Sequence, residues 1–297
     1  MRKICFGLVV LFLSACGSNG SKEQALLDSL DTLSIEAPEV SEEVISDIVQ
    51  QIPSPLEISV LLKESGTKYN YSMLNSPDKA SNYNNNFQKA INLGIYGTDL
   101  GYTNIYEQNQ DAIGYLRSIR DLADGLSIGQ FFDFETIRKL AVNSNNLDSL
   151  LLITTRNFNN INSYLQDQKR ANLSILLLTG GWLEALNITC QVYSKSSGNE
   201  VLKEKIGEQK IILEQIMLLL SLYEQDTRIK AFSKELEPLK QVFDNIEITT
   251  TYAESTFEEV DGVLMIVDNS TSTINITDEH IADITRITQE IRNRLIN

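Results

Sequence analysis

The sequence predicts a mainly all-α protein, a multi-helix bundle with a small β-hairpin near the C-terminus. Three observations lead there. Apolar residues recur at three- and four-residue steps over most of the chain after residue 76. Residues 173–188 are apolar almost all the way round a helix, the mark of a helix at the centre of a bundle. Thr-rich and β-branched texture sets in only after Ile248. The composition agrees, because 42% hydrophobic and 22% charged residues over 297 positions exclude collagen-like, disulfide-dense and wholly disordered chains.

At the N-terminus, Arg2 and Lys3 precede an apolar run over residues 4–13. Ten residues rise only about 15 Å as a helix, half of a bilayer core, so the run reads as a secretion signal rather than a span. It ends in Leu13, Ser14, Ala15 and Cys16, which resembles the lipobox of bacterial lipoproteins. That resemblance implies a signal peptide over residues 1–15, cleavage before Cys16 and lipidation of its thiol. Residues 16–53 then read as an acidic flexible tether. Between residues 17 and 55 there are eight acids against the single Lys22, together with Pro38, Pro53 and Pro55.

A single helical domain is expected over residues 54–297, a bundle to about residue 247 followed by a hairpin and a final helix over 248–297. Ser54, Pro55 and Glu57 form a helix start. Ser76 and Pro77 repeat the signal, and Tyr83, Phe87, Ile91, Ile95, Thr98, Tyr102 and Ile105 follow at helical spacing. Gly94, Gly97 and Gly101 fall within the same broad arc, where missing side chains would admit another helix. Further helices are expected over 113–122, 134–142 and 147–165. For residues 173–188, the length of 16, Glu184 and the pair Gly180-Gly181 argue against a membrane span. A helical hairpin should follow over 202–223 and 229–246, its second arm kinked or divided at Pro238. Residues 263–267 and 271–276, flanking Asp268, Asn269 and Ser270, have the pattern of a β-hairpin. Thr277 then caps a last helix with Ile281, Ile284, Ile287, Ile291 and Leu295 on its apolar face, and Arg292 and Arg294 suit its C-terminal dipole.

The residue types available for chemistry are few. His280 is the one histidine, which removes His-rich zinc sites, and neither Cys pairs for a metal nor phosphate-binding glycine loops occur. No cofactor and no metal are therefore expected. Cys190 reads as a small buried hydrophobe, with no cationic neighbour in sequence to lower its pKa. Asn92, Tyr96, Asp99, Tyr102, Trp182 and Glu184 stand out as polar or amphipathic groups set in apolar helices. Buried carboxylates need partners, for which Arg156 and Arg170 are candidates. These residues form either a structural network or the lining of an interhelical pocket, in which desolvation would raise a carboxylate pKa.

The segments NLGIYGTDLGY at 92–102 and GGWLEAL at 180–186 resemble a group of uncharacterised, mainly helical lipoproteins of Bacteroidota. The resemblance implies a bacterial envelope protein, lipid-anchored at the outer membrane and facing the periplasm, and it carries over no activity and no site residues. A net charge of −15 disfavours nucleic acid. The expected partners are the membrane, through the N-terminal lipid, and an envelope protein. Three readings follow. The first is a non-enzymatic binding or scaffolding module. The second is a small-ligand or lipid-binding protein with a pocket near Asp99, Tyr102, Trp182 and Glu184. The third is an enzyme using Asp99 or Glu184.

Overall fold

Short polar side chains fix where several of the helices begin. The computed structural model describes residues 62–63, 65–141, 147–196, 198–253, 256–260, 263–267 and 271–297. The signal peptide, Cys16, the tether and the Ser54 helix start lie outside the described residues. Helix α1, Asn86–Ile105, starts where the Asn85 side chain accepts a hydrogen bond from the Gln88 backbone NH at 2.9 Å. The Ser76-Pro77 signal instead opens a short 3-10 segment, Pro77–Asn82, in which Ser76 makes no side-chain cap. Tyr83 therefore precedes the long helix rather than belonging to it.

Helices α2, Asn109–Gly125, α3, Phe134–Ala141, and α4, Leu147–Asp167, follow through short connections. Next is α5, Ala171–Tyr193. Asn199 caps α6, Glu200–Ser221, by accepting from the Leu202 NH, and Asp226 caps α7, Thr227–Asp244, by accepting from the Arg228 NH. The last helix, α8, Asp278–Leu295, is held by a reciprocal cap. The Thr277 hydroxyl accepts from the His280 NH at 3.2 Å, while His280 Nδ1 accepts from the Thr277 NH at 3.4 Å.

Helix α5 occupies the centre. It packs along α1 over most of its length, with α4, α6 and α8 on its remaining sides, α2 behind α1, and α7 closing against α6 and α8. This position explains its apolar circumference. Ile175, Leu176, Leu183, Leu186, Ile188 and Cys190 are all buried, each large aliphatic side chain contributing about 1.5–3 kcal/mol through removal from water. The helix is longer than expected, 23 residues, and by length and composition alone it could cross a membrane. Burial decides the matter where length does not, because 94% of its most apolar window is covered by the rest of the protein.

The approach of α1 to α5 is backbone on backbone. A methyl carbon built on Gly94 would overlap the Leu177 carbonyl oxygen and lie 2.7 Å from the Gly181 nitrogen, and one built on Gly180 would overlap the Ile91 carbonyl oxygen. The Thr98 hydroxyl uses the close crossing to donate to the Gly181 carbonyl at 3.0 Å. Gly97 takes no part in it, since nothing stands within 4 Å of where its Cβ would be.

Two expectations require correction. Of the kink or division expected at Pro238, the division does not occur, and α7 runs through it as one helix. Proline there costs the Lys234 carbonyl its i+4 donor, but Lys234 and Pro238 are both on the exposed face, where water can serve that carbonyl. The hairpin turn is also misplaced. Strands β1, Glu247–Thr251, β2, Thr256–Val260, β3, Val263–Val267, and β4, Thr271–Asn275, pair as nested antiparallel couples, β1 with β4 and β2 with β3. Val260 pairs with Val263, so only Asp261 and Gly262 separate the two innermost strands, and residues 268–270 instead lie between β3 and β4. The two couples differ in register by one residue, Thr251 pairing with Thr271 in the first and Thr256 with Val267 in the second. The β1–β4 couple meets the helices through Ile248 and Ile274, the latter lying over Gly207 of α6.

Candidate functional site

Asp99 on α1 and Glu184 on α5 meet inside the molecule, both fully buried. The third member of the cluster comes from α8. Arg292, 7% exposed, donates through Nε to Glu184 Oε2 at 2.6 Å and through Nη2 to Glu184 Oε1 at 2.7 Å. This is a two-pronged pair of matched planar groups, the geometry in which an arginine–carboxylate contact is strongest. Nη2 also donates to the Met73 carbonyl at 3.0 Å, which ties the segment before α1 into the same cluster. Asp99 Oδ2 accepts from the Asn75 backbone NH at 3.2 Å.

Around these groups stand buried tyrosines. The Asn75 side-chain amide donates to the Tyr83 hydroxyl at 3.0 Å, and that hydroxyl donates to the Ile296 carbonyl at 3.4 Å. The rings of Tyr83, Tyr96 and Tyr115 follow one another at centroid separations of 6.3 and 6.0 Å. Burial pushes all three phenols up, so they remain neutral.

The electrostatics follow from two fully buried carboxyl groups and one guanidinium that is almost so. Burial is the largest influence on Asp99 and pushes its carboxyl well above the usual carboxylate range. The negative charge of Glu184 adds to this, and Arg292 and the Asn75 NH oppose it. Burial alone would lower Arg292, but the charge of Glu184 and its two hydrogen bonds outweigh it and hold the guanidinium charged. Asp99, its carboxyl held well above the usual range, thus lies beside the two-pronged contact of Glu184 with the charged Arg292.

Of the other residues singled out in the sequence, Tyr96 donates to the Ser76 carbonyl at 2.8 Å. Asn92 donates to the Gln88 and Leu295 carbonyls, both at 3.0 Å, and so fastens α1 to the end of α8. Tyr102 turns its hydroxyl to the Asn70 NH at 3.2 Å and stacks on Tyr69 at 5.4 Å. Trp182 is not part of the cluster. Two positions along a helix are 200° apart, and Trp182 accordingly faces α6, donating from Nε1 to Gln209 Oε1 at 3.0 Å, while Glu184 faces α8. Trp182 and Glu184 are thus bonded to different neighbouring helices.

The expected counter-charges are corrected too. Arg156 is exposed, and Arg170 donates to the Leu126 carbonyl at 3.1 Å. Arg292 was read from the sequence as a dipole partner at a helix end. A signal for its true role was present, because Ile284, Thr288 and Arg292 succeed one another at four-residue steps and so share the buried face of α8. Asn75, Tyr83 and Tyr115 gave no comparable signal, since long-range packing alone brings them here. Cys190 is buried and its thiol is pushed up to about 12 by that burial, as an inert core residue should be. Among the described residues no group of three or more His, Cys, Asp and Glu side chains is placed to hold a metal ion.

No family model, curated protein or solved structure matches this chain. Its functional reading therefore rests on its own residues.

Proposed function

We propose that the chain is a lipid-anchored protein of the bacterial cell envelope, of the kind its Bacteroidota-like segments resemble. Its helical body serves as a non-enzymatic binding or scaffolding module at the outer membrane, facing the periplasm. The observation that carries the reading is the closure of the Asp99–Glu184–Arg292 cluster. The groups best suited to proton transfer are fully buried and occupied with one another, which favours a structural role for them and leaves recognition to the acidic outer surface. The address at Leu13, Ser14, Ala15 and Cys16 supports anchoring, and the net charge of −15 favours a protein partner over nucleic acid.

The anchor is tested by Cys16→Ala. Acyl chains contribute about 0.8 kcal/mol per buried methylene, and a single chain anchors only marginally, so stable attachment depends on the full lipid modification at that thiol. Fractionation of cells expressing the variant is expected to show an uncleaved precursor or a mislocalised protein. A variant that stays with membranes after a high-salt wash and carries the same lipid mass would overturn the reading.

A further inference from the structure

We propose that the folded body holds one buried proton between the carboxyl groups of Asp99 and Glu184, and that this proton latches the C-terminal end of α8 to the segment preceding α1. The geometry requires such a proton. Both oxygens of Glu184 are taken by Arg292, and Arg292 has only one positive charge for two carboxyl groups. Asp99 Oδ2 accepts the Asn75 NH, whereas Asp99 Oδ1 is fully buried and accepts from no donor. A bare carboxylate oxygen in a core is costly, but the same oxygen carrying a proton becomes a donor, and the carboxyl group within hydrogen-bonding reach is that of Glu184.

What the proton would hold follows from the surrounding bonds. Arg292 fastens Met73, Tyr83 fastens Ile296, Asn75 fastens Asp99 and Tyr83, and Asn92 fastens Leu295. Side-chain bonds thus join residues 73–83 and 292–297 to the centre beside the packing of Met73, Leu74, Tyr83 and Ile296, in contrast to the backbone-close crossing of α1 and α5. Loss of the proton would leave one uncompensated negative charge at the point where these bonds meet, and the seam they hold would open first.

The charged and titratable groups facing Asp99 are Glu184 from α5, Arg292 from α8, Tyr71 and Tyr83 from the segment before α1, Tyr96 from α1 and Tyr115 from α2. Burial shifts the four tyrosines upward, so none of them supplies a proton lost between pH 5 and pH 9. A carboxyl that holds its proton more tightly folded than unfolded stabilises fully below the ordinary Asp range, and the contribution is lost as pH rises through its folded value. The direction is opposite to that of an exposed salt-bridged carboxylate.

The test compares urea denaturation of the full chain and of Asp99→Asn between pH 5 and pH 9. Asparagine keeps the shape of the neutral acid and can donate to Glu184 without titrating. For the wild type the unfolding equilibrium constant should rise with pH, by up to tenfold per unit for one proton. Asp99→Asn should remove that part of the slope. An identical slope in both proteins would overturn the proposal. Two measurements on the wild type serve if the variant does not fold. The infrared spectrum at neutral pH should contain the carbonyl band of a neutral carboxylic acid, and its absence would refute the shared proton. Amide exchange at alkaline pH, corrected for intrinsic rate, should lose protection at residues 73–76 and 292–296 before α1 and α5, whereas uniform loss would refute the latch.

Discussion

Glu184→Ala is expected to lower the stability of the body by about 3–5 kcal/mol, the usual cost of removing one partner from a buried ion pair. Arg292 would keep its charge, lose both carboxylate contacts and retain the Met73 carbonyl, in a site only 7% exposed. Since whole domains are stable by about 5–15 kcal/mol, a loss of this size would consume much of the margin. The exposed pair Arg294–Glu235 supplies the comparison. Its atoms are 3.1 Å apart but its side chains are 54% and 38% exposed, so Arg294→Ala should cost no more than about 1 kcal/mol. Thermal or chemical denaturation of the two variants should separate them clearly. Equal small effects would mean that the cluster is hydrated and contributes little.

The second large effect is expected at the α1–α5 crossing. Gly94→Ala adds one carbon where the opposing atoms are the Leu177 carbonyl and the Gly181 nitrogen, main-chain atoms that cannot rotate aside as a side chain would. The two helices must separate, and every bond across them shifts, including that from Thr98 to Gly181. Overpacking of a core costs about 1–3 kcal/mol when side chains can yield, and a main-chain clash at the central crossing should reach at least the upper part of that range. Gly97→Ala, three positions away on the same helix, is expected to have the opposite sign. Its Cβ would meet nothing within 4 Å, so the variant should gain about 0.5–1 kcal/mol from the lower conformational entropy of the unfolded chain and better helix propensity. Melting curves of the two single variants give the answer directly. Destabilisation by both would show that helix α1 has no open side at Gly97.

Much of this fold is legible in the sequence because helical periodicity is a local signal. The spacing of Ile281, Ile284, Ile287 and Ile291, with Thr277 before them, defines α8 from neighbouring residues alone. Glycines at a helix crossing are less readable. Gly94 and Gly97 look alike in an arc drawn from sequence, and only the position of α5 distinguishes them. The strand pairing is obscured for a different reason. Residues 268–270 and Asp261-Gly262 both have turn-forming composition, and the strand partner of β4 lies in the Thr-rich stretch just after α7. In the cluster, Asp99 and Glu184 were visible as carboxyl groups that needed partners. Their meeting and the choice of Arg292 over Arg156 or Arg170 depend on which helices touch, information that resides in contacts far apart along the chain, 108 residues in the case of Glu184 and Arg292.

The central claim is that the acid cluster is a structural device binding α8 to α5. A double-mutant cycle with Glu184→Ala, Arg292→Ala and the double variant, followed by urea denaturation at neutral pH, tests it most directly. Each single variant strands a buried charge and the double variant removes both. The account predicts that the double variant is more stable than the sum of the single losses allows, by at least about 2 kcal/mol. Losses that simply add would contradict it, because two groups that do not depend on each other cannot be the pair that holds this core together.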